Sequence, residues 1–310
     1  MQPLEEYARY LHQNKIVCRQ DEPMKQHTTF KIGGPAALFI EPESETQLSA
    51  LLCEANRLGI HLSIIGRGSN LLVNDNGIDS PVVCLGERFS DVSIAAPTQI
   101  AVANGDTVVY AQAGASLTRL CRFAQNRGLA GLEFAFGIPG TIGGAVFMNA
   151  GAYGGEIKDV ITAASHLDPK GQKGVFTKEQ LALSYRSSVY SGGGYCITGA
   201  WFRLKNDDPA AIQAKMDDYL NRRQQKQPLE LPSAGSTFKR PEGNYASALI
   251  DQCGLKGRTV GGAQVSEKHA GFVVNTGEAT AADVLALIEA VRSEVCRRTG
   301  YRLECEIKLM

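Results

Sequence analysis

Residues 137–155 read G-I-P-G-T-I-G-G-A-V-F-M-N-A-G-A-Y-G-G, and seven of these 19 are glycine. Glycine tolerates positive φ and lets another group approach the backbone closely. The residues between the glycines are small or apolar, not the Ser, Asn and Asp of a flexible linker. A buried backbone of this kind means tight internal packing or a ligand lying against main-chain N–H groups, and we read the run as the floor of a cofactor site. A second segment, Gly66, Arg67, Gly68, Ser69 and Asn70, follows a short apolar strand expected at 62–65. Its clustered N–H donors and two polar side chains could form a nest for a phosphate; a plain tight turn would use the same residues. The Rossmann fingerprint needs a third glycine and a helix directly afterwards. Here Leu71 and further strand-like residues follow, and no G-x-x-x-x-G-K-[ST] occurs anywhere. Both common nucleotide motifs are therefore excluded.

The bulk numbers are those of a soluble globular chain. Its 310 residues suffice for two domains, with 44% hydrophobic and 21% charged residues. Lys+Arg and Asp+Glu are both 32, which argues against nucleic-acid binding, since that needs a cationic footprint. The first 20 residues carry Glu5, Glu6, Arg9 and Lys15 and lack the apolar core of a signal peptide. No stretch approaches the roughly 20 apolar residues of a membrane span. Eight cysteines, none in C-x-x-C, point away from zinc and iron–sulfur frameworks and toward reduced thiols in the cytoplasm. No metal site is expected.

Alternating helices and short strands must position these segments. Helices are expected at 2–14, after Ser44 with Gln47 in capping-box spacing, and after Ser116 up to Gly128. Strands are expected at 37–41, 62–65, 71–73, 82–85, 100–103, 108–112, 160–167 and 195–204. A composition shift near residue 206 marks a boundary. Asn206, Asp207, Asp208 and Pro209 begin a helix that ends in the cations Arg222, Arg223 and Lys226, read as a solvated terminus suited to the helix dipole. A polar loop at 232–241 follows, then a helix at 245–254, short strands near 260–265 and 271–275, and a helix opened by Thr280 and Asp283. The chain closes on an alternation that reads as one strand. Leu303, Cys305, Ile307 and Leu309 fall on one face, and Glu304, Glu306 and Lys308 on the other.

Five segments carry a resemblance: T-T-F-K-I-G-G-P-A (28–36), G-R-G-S-N-L-L-V (66–73), G-I-P-G-T-I-G-G-A-V-F-M-N-A-G-A-Y-G-G-E (137–156), S-Y-R-S-S (184–188) and P-S-A-G-S-T-F-K-R-P (232–241). In this order the chain closely resembles the UDP-N-acetylenolpyruvoylglucosamine reductase (MurB) family, and its compact N-A-G-A-Y-G-G-E form is similar to the type II branch. The resemblance extends from about residue 20 to the C-terminus. It implies an α+β fold. An FAD-binding domain of the vanillyl-alcohol-oxidase (PCMH) type, built from two α+β subdomains after a short N-terminal helix, would span 1–206, and an α+β substrate-binding domain 207–310. It implies tightly bound FAD on Gly66, Arg67, Gly68, Ser69 and Asn70, and on Gly137, Pro139, Gly140, Thr141, Gly143, Gly144 and Ala145. NADPH would be the co-substrate, sharing one pocket in turn with a UDP-sugar. The flavoenzyme would reduce the enolpyruvyl ether of UDP-N-acetylglucosamine enolpyruvate to UDP-N-acetylmuramate, a peptidoglycan precursor. No nucleic acid or membrane is implied as a partner, and a monomer is expected.

Hydride delivery to the terminal carbon of a carboxylate-conjugated double bond leaves negative charge on the neighbouring carbon and the carboxylate. The site then needs a proton donor and groups that stabilise an enolate. Ser236 matches the family's proton-donor position; by itself it also reads as a loop hydroxyl closing a local turn. Arg186 matches the catalytic arginine, whose guanidinium can grip a carboxylate in two places; by itself it reads as a surface arginine. Glu304 and Glu306 share a face, so alternation does not choose between them. The family pattern chooses Glu306, because Ile-Lys follows it. Tyr185 and Lys239 are expected near the substrate, Lys239 toward the diphosphate or the enolpyruvyl carboxylate. The chain has Cys305 and Lys308 where the family often has Pro and Arg. Arg186, Ser236 and Glu306 are expected to converge beside the glycine run. Two rivals are an oxidase or dehydrogenase of the same flavin fold and a nucleotide-binding module without turnover.

Overall fold

A computed structural model describes residues 3–96 and 105–310. The strand expected at 100–103 lies outside the described residues. The chain divides into two compact units that are discontinuous in sequence. The first comprises 1–19, 38–67 and 80–222; the second comprises 20–37, 68–79 and 223–310. This is a different partition from a linear cut at 206/207. The helix Pro209–Lys226 belongs largely to the first unit, where it buries Ile212 and Met216.

The first unit holds two larger sheets, besides a short antiparallel pairing of Gly151–Ala152 with Gly155–Glu156. Three parallel strands, Pro35–Glu41, Val82–Cys84 and Ser63–Ile65, pair Phe39 with Val82 and Ile64 with Val83, and Val17–Pro23 runs along their outer edge. The helix Glu45–Arg57 connects two of them. It forms because Leu48, Leu51, Leu52 and Ala55 recur at helical spacing and are buried, and because Ser44 Oγ accepts from Gln47 N at 3.2 Å. The second sheet is antiparallel, in the order Lys173–Thr177, Ile161–Leu167, Cys196–Asn206, Asp106–Gln112, Val92–Ile94, with Leu129–Ala130 pairing the far end of Cys196–Asn206. The helix Leu117–Gln125 buries Leu117, Leu120, Cys121 and Ala124 in the same core, capped by Ser116 Oγ accepting from Arg119 N at 3.1 Å.

The second unit is built on a four-stranded antiparallel sheet in the order Ser233–Ser236, Phe272–Asn275, Ala263–Val265, Thr259–Val260. The helix Ala281–Thr299 buries Val284, Leu287, Ile288, Val291 and Val295. Thr280 and Asp283 form its reciprocal capping box, each N–H bonded to the other's side chain at 3.0 Å. A further cap comes from far away in sequence. The Asp75 carboxylate accepts from the N–H groups of Ala281 and Ala282 at 2.7 and 3.1 Å. Phe30, Ile32 and Leu72 join this unit's core. These contacts, which no local pattern signals, explain why 20–37 and 68–79 belong with the C-terminal residues.

The expected alternating strand at 303–309 is not one strand. Leu303 and Ile307 are buried, but Cys305 and Leu309 are exposed. Cys305 forms an antiparallel bridge to Phe238, the chain bends at Ile307, and Lys308–Leu309 pairs in parallel with Leu71–Leu72. The partner changes midway, so a single face cannot persist. The cationic helix end at 222–226 also departs from a solvated terminus at one residue: Arg223 is buried.

Candidate functional site

The glycine run of the first unit has a back and a front. Its middle is a short helix, Ile142–Phe147, rather than a loop. At the back, Ile142 N and Gly143 N each donate at 2.8 Å, to Ala115 O and Ala113 O, so these N–H groups serve the protein itself. A Cβ on Gly143 would lie 3.1 Å from Ala113 Cβ, which explains glycine there by close approach. At the front, Pro139 and Gly144 are exposed although Ile142, Ala145 and Val146 beside them are buried. A Cβ on Gly144 would meet nothing closer than Thr141 Oγ1 at 3.8 Å. Gly66 closes against this surface, since a Cβ there would collide with the Thr141 hydroxyl. An exposed, side-chain-free backbone set among buried neighbours fits a flat cofactor such as FAD. Arg67 also lies in this unit.

Arg186 sits at the tip of a tight turn in the same unit. Ser184 N donates to Ser187 O at 3.1 Å and Ser187 N to Ser184 O at 3.2 Å, which leaves Tyr185 and Arg186 at the end of the turn. Arg186 takes the left-handed φ of 55°. Its guanidinium carbon lies 5.0 Å from the Tyr185 ring centroid, and that ring is 44% exposed. Two ties hold the turn to the glycine run. Ser188 Oγ donates to Phe147 O at 2.9 Å, and Asn149 Nδ2 donates to Ser184 O at 3.0 Å. Asn149 Nδ2 also donates to Glu156 Oε2 at 3.0 Å, and Lys158 Nζ pairs with the same oxygen at 2.7 Å. The Lys158 ammonium holds the Glu156 carboxyl below the usual carboxylate range, helped by the Asn149 amide and the nearby Arg186 charge. Glu156 in turn raises Lys158.

In the second unit, residues 237–239 pair with 304–306. Glu306 N donates to Thr237 O and Lys239 N to Glu304 O, both at 2.8 Å, on either side of the Phe238–Cys305 bridge. Ser236 ends the strand just before this pairing, after a register shift in which Gly235 adopts φ 78°. Thr237 is buried, and its Oγ1 accepts from Val273 N at 3.0 Å. Asn70, the last residue of the glycine-rich turn and also in the second unit, joins this pairing. Asn70 Nδ2 donates to Glu306 O at 3.2 Å, and Lys308 N donates to Asn70 O at 2.8 Å. The main chain of Glu306 is thus held at both ends. A Cβ on Gly68 would collide with His27 O, so this part of the turn packs on backbone. The two glutamates, equivalent by alternation, differ here. Glu304 is exposed and pairs with Lys239 at 3.2 Å, whereas Glu306 is half-buried.

The three expected catalytic residues are therefore divided between the units, with Arg186 in the first and Ser236 and Glu306 in the second. The turn residues Gly68, Ser69 and Asn70 also belong to the second unit, while Gly66, Arg67, Gly137, Pro139, Gly140, Thr141, Gly143, Gly144 and Ala145 belong to the first. Asn149, Glu156 and Thr237 lie in or beside the quoted motifs, yet their types alone give no sign of these bonds. A lone amide in an otherwise Gly-rich apolar run was the one available signal for Asn149. Among the described residues, no group of three His, Cys, Asp or Glu could hold a metal ion.

Comparison with known proteins adds to this geometry. A family model described as an FAD-binding domain matches residues 36–173, and one described as the UDP-N-acetylenolpyruvoylglucosamine reductase C-terminal domain matches 227–310. A UDP-N-acetylenolpyruvoylglucosamine reductase from Agathobacter rectalis is 48% identical over 293 residues, covering 94% of this chain and 93% of its own. The chain belongs to the UDP-N-acetylenolpyruvoylglucosamine reductase family. A reductase of this family from Clostridium botulinum is 48% identical over 292 residues, covering 94% of this chain and 91% of the relative. The crystal structure of the reductase from Thermus caldophilus matches with a TM-score of 0.75 and 33% identity, covering 95% of this chain and 98% of that one. The fold is α+β, with the FAD-binding domain model matching ahead of the reductase family's C-terminal domain.

Proposed function

We propose that the chain reduces the enolpyruvyl ether of UDP-N-acetylglucosamine enolpyruvate to UDP-N-acetylmuramate, with FAD as its cofactor and NADPH as the electron donor. The observation that carries this function is that Ser236 and Glu306 stand on paired segments of the second unit, with Asn70 of the glycine-rich turn bonded to the Glu306 carbonyl. Family membership supports the same substrate.

FAD, when bound, supplies the hydride that it takes from NADPH. Gly66, Arg67, Gly68, Ser69 and Asn70, with the exposed front of residues 137–145, would hold it. As hydride reaches the terminal carbon, negative charge builds on the neighbouring carbon and the carboxylate. Arg186 would grip that carboxylate with two parallel N–H donors and stabilise the enolate. Ser236 would give its hydroxyl proton to the neighbouring carbon. A serine hydroxyl is a weak acid, so the step requires a strongly basic enolate and a well-placed donor. Glu306 would orient the reacting end, and Tyr185 and Lys239 would contact the substrate. Residues 1–206 would carry the cofactor and 207–310 the UDP-sugar, in a cytoplasmic monomer that makes a cell-wall precursor. Among the described residues, no helix is long and apolar enough to cross a membrane.

The test follows NADPH oxidation by the FAD-loaded protein with and without the enolpyruvyl sugar. Consumption that depends on the sugar, with one UDP-N-acetylmuramate formed per NADPH, is the expected result. A protein that stays colourless after FAD is added, or that consumes NADPH equally without the sugar, sinks the proposal.

A further inference from the structure

Asn149 is the one amide in the glycine run, and it is 1% exposed. Its backbone lies in the left-handed region at φ 42°, which Asn reaches more readily than most residues. A primary amide offers two N–H donors and one carbonyl acceptor, and the protein uses both ends. Nδ2 donates to Ser184 O and to Glu156 Oε2, each at 3.0 Å, and Oδ1 accepts from Lys158 N at 2.9 Å. A side-chain amide can thus donate to two segments while accepting from one of them. Ser184 O is the root of the turn that carries Arg186, because Ser184 and Ser187 close the turn through reciprocal bonds. The amide therefore binds the base of the Arg186 turn and the Glu156 carboxylate with one nitrogen. Ser188 ties the other end of the turn to Phe147 O but touches no charged group in doing so.

We propose that Asn149 is a positioning residue for the sugar-reducing half of the reaction: it fixes the root of the 184–187 turn, and with it the direction of the Arg186 guanidinium. This rests on the role given to Arg186 above. Asn149 itself touches neither cofactor nor substrate in this account. Without its two donors, the turn keeps its own reciprocal bonds and the Ser188 tie to Phe147 O but loses the bond at its root and the link to Glu156. Arg186 then samples directions that do not meet the developing enolate. Delivery of electrons from NADPH to the flavin has no step that needs Arg186 so directed, so that half-reaction is left intact.

Two variants separate positioning from simple support. Asn149→Gly removes the amide and keeps the left-handed backbone. Asn149→Asp keeps the acceptor for Lys158 N but sets a carboxylate against Glu156 and Ser184 O; on protonation it regains one donor. In the FAD-loaded proteins, flavin content and the rate of bleaching by NADPH are expected to stay within about threefold of the parent. Reoxidation by the enolpyruvyl sugar should slow by roughly 10- to 100-fold in Asn149→Gly, the range for losing hydrogen bonds to charged or buried partners. In Asn149→Asp it should be slow at about pH 8 and recover toward acid, as the added carboxyl takes up its proton. Limited trypsin digestion should cut after Arg186 at least tenfold faster in Asn149→Gly than in the parent, because local opening of the turn governs cleavage. Equal slowing of both half-reactions, loss of flavin, a pH profile for Asn149→Asp parallel to the parent's, or unchanged cleavage would each overturn the proposal. A parent protein whose flavin the sugar does not reoxidise refutes the proposed function instead. The trypsin comparison then still decides whether Asn149 holds the turn, with faster cleavage for and equal cleavage against.

Discussion

In the first unit the Arg186 turn is tied down by side-chain bonds from Asn149 and Ser188; in the second, the Ser236 and Glu306 segments hang on main-chain pairing. The difference bears on what each site tolerates. An anchor made by one side chain is lost with one substitution. A ladder of N–H and C=O groups survives changes of side chain, because every residue but proline supplies the same groups. At one point of the second unit a proline would cost the ladder no bond. The two bonds beside the Phe238–Cys305 bridge use Lys239 N with Glu304 O, and Glu306 N with Thr237 O. Phe238 and Cys305 are thus a non-hydrogen-bonded pair, and the ladder takes neither the N–H nor the C=O of Cys305. Cysteine here, where the family often has proline, leaves the main chain that holds Glu306 unchanged.

The sharpest way to break the contrast is at the proposed proton donor. Ser236→Ala removes only a hydroxyl from a segment held by its backbone. Flavin bleaching by NADPH should be unchanged, and reoxidation by the enolpyruvyl sugar should slow by roughly 10²- to 10⁴-fold. Rapid-mixing absorbance at the flavin band separates the two, and equal slowing of both would make the hydroxyl a structural group. A smaller effect is expected from the C-terminal carboxylates. Glu306→Gln should lower turnover by roughly 10²-fold while Glu304→Gln, whose parent residue pairs with Lys239 in solvent, stays within about threefold. Steady-state kcat for the pair is the measurement, and similar losses would mean that the alternation, not the bend at Ile307, describes this segment.

Two stability changes then compare how the units are held. Gly155→Ala in the first unit sets a Cβ 2.7 Å from the Phe134 ring, an overpacking that costs about 1–3 kcal/mol. Thr237→Val in the second unit keeps the shape but strips the acceptor from Val273 N–H, a loss of about 1–3 kcal/mol for a buried donor left unpaired. Denaturant midpoints read both, and a neutral Thr237→Val would show that the loop is held by its ladder alone. The smallest effect concerns acid. Lys158, helped by Asn149 and Arg186, depresses the Glu156 carboxyl in the folded state below its ordinary value of 4.5. The unfolded chain therefore binds this proton more readily, so the contribution is present above about pH 4.5 and fades as pH falls through the folded-state value. Glu156→Gln should flatten the acid limb of stability below about pH 4.5. An unchanged limb would place the acid sensitivity on other carboxylates.

Several elements were legible locally. Ser44, Ser116 and the Thr280–Asp283 box each cap the helix expected of them, because a cap is a bond between residues three apart. The glycine run stood out by composition, but the reasons for its individual glycines did not. Gly143 answers to Ala113 and Gly155 to Phe134, while Gly144 has open space in front of it. The closing strand was misread for a related reason. Alternation from Leu303 to Leu309 satisfies a strand pattern, but Thr237 and Leu72, far apart in sequence, each take part of it. Arg223 looked like one more solvated cation at a helix end and is buried instead.

By itself, the sequence determined the helices with their caps, the bare backbone at 137–155 and the motifs that mark the family, since these depend on residue type and short spacing. Tertiary structure alone decided that 20–37 and 68–79 join the C-terminal unit through Phe30, Leu72 and Asp75. It also set Glu304 in solvent beside Lys239 while leaving Glu306 half-buried, and it gave Asn149 its bonds to Ser184 and Glu156. Each of those outcomes depends on which distant segment supplies the missing donor, acceptor or apolar surface, and a one-dimensional pattern carries no record of that partner.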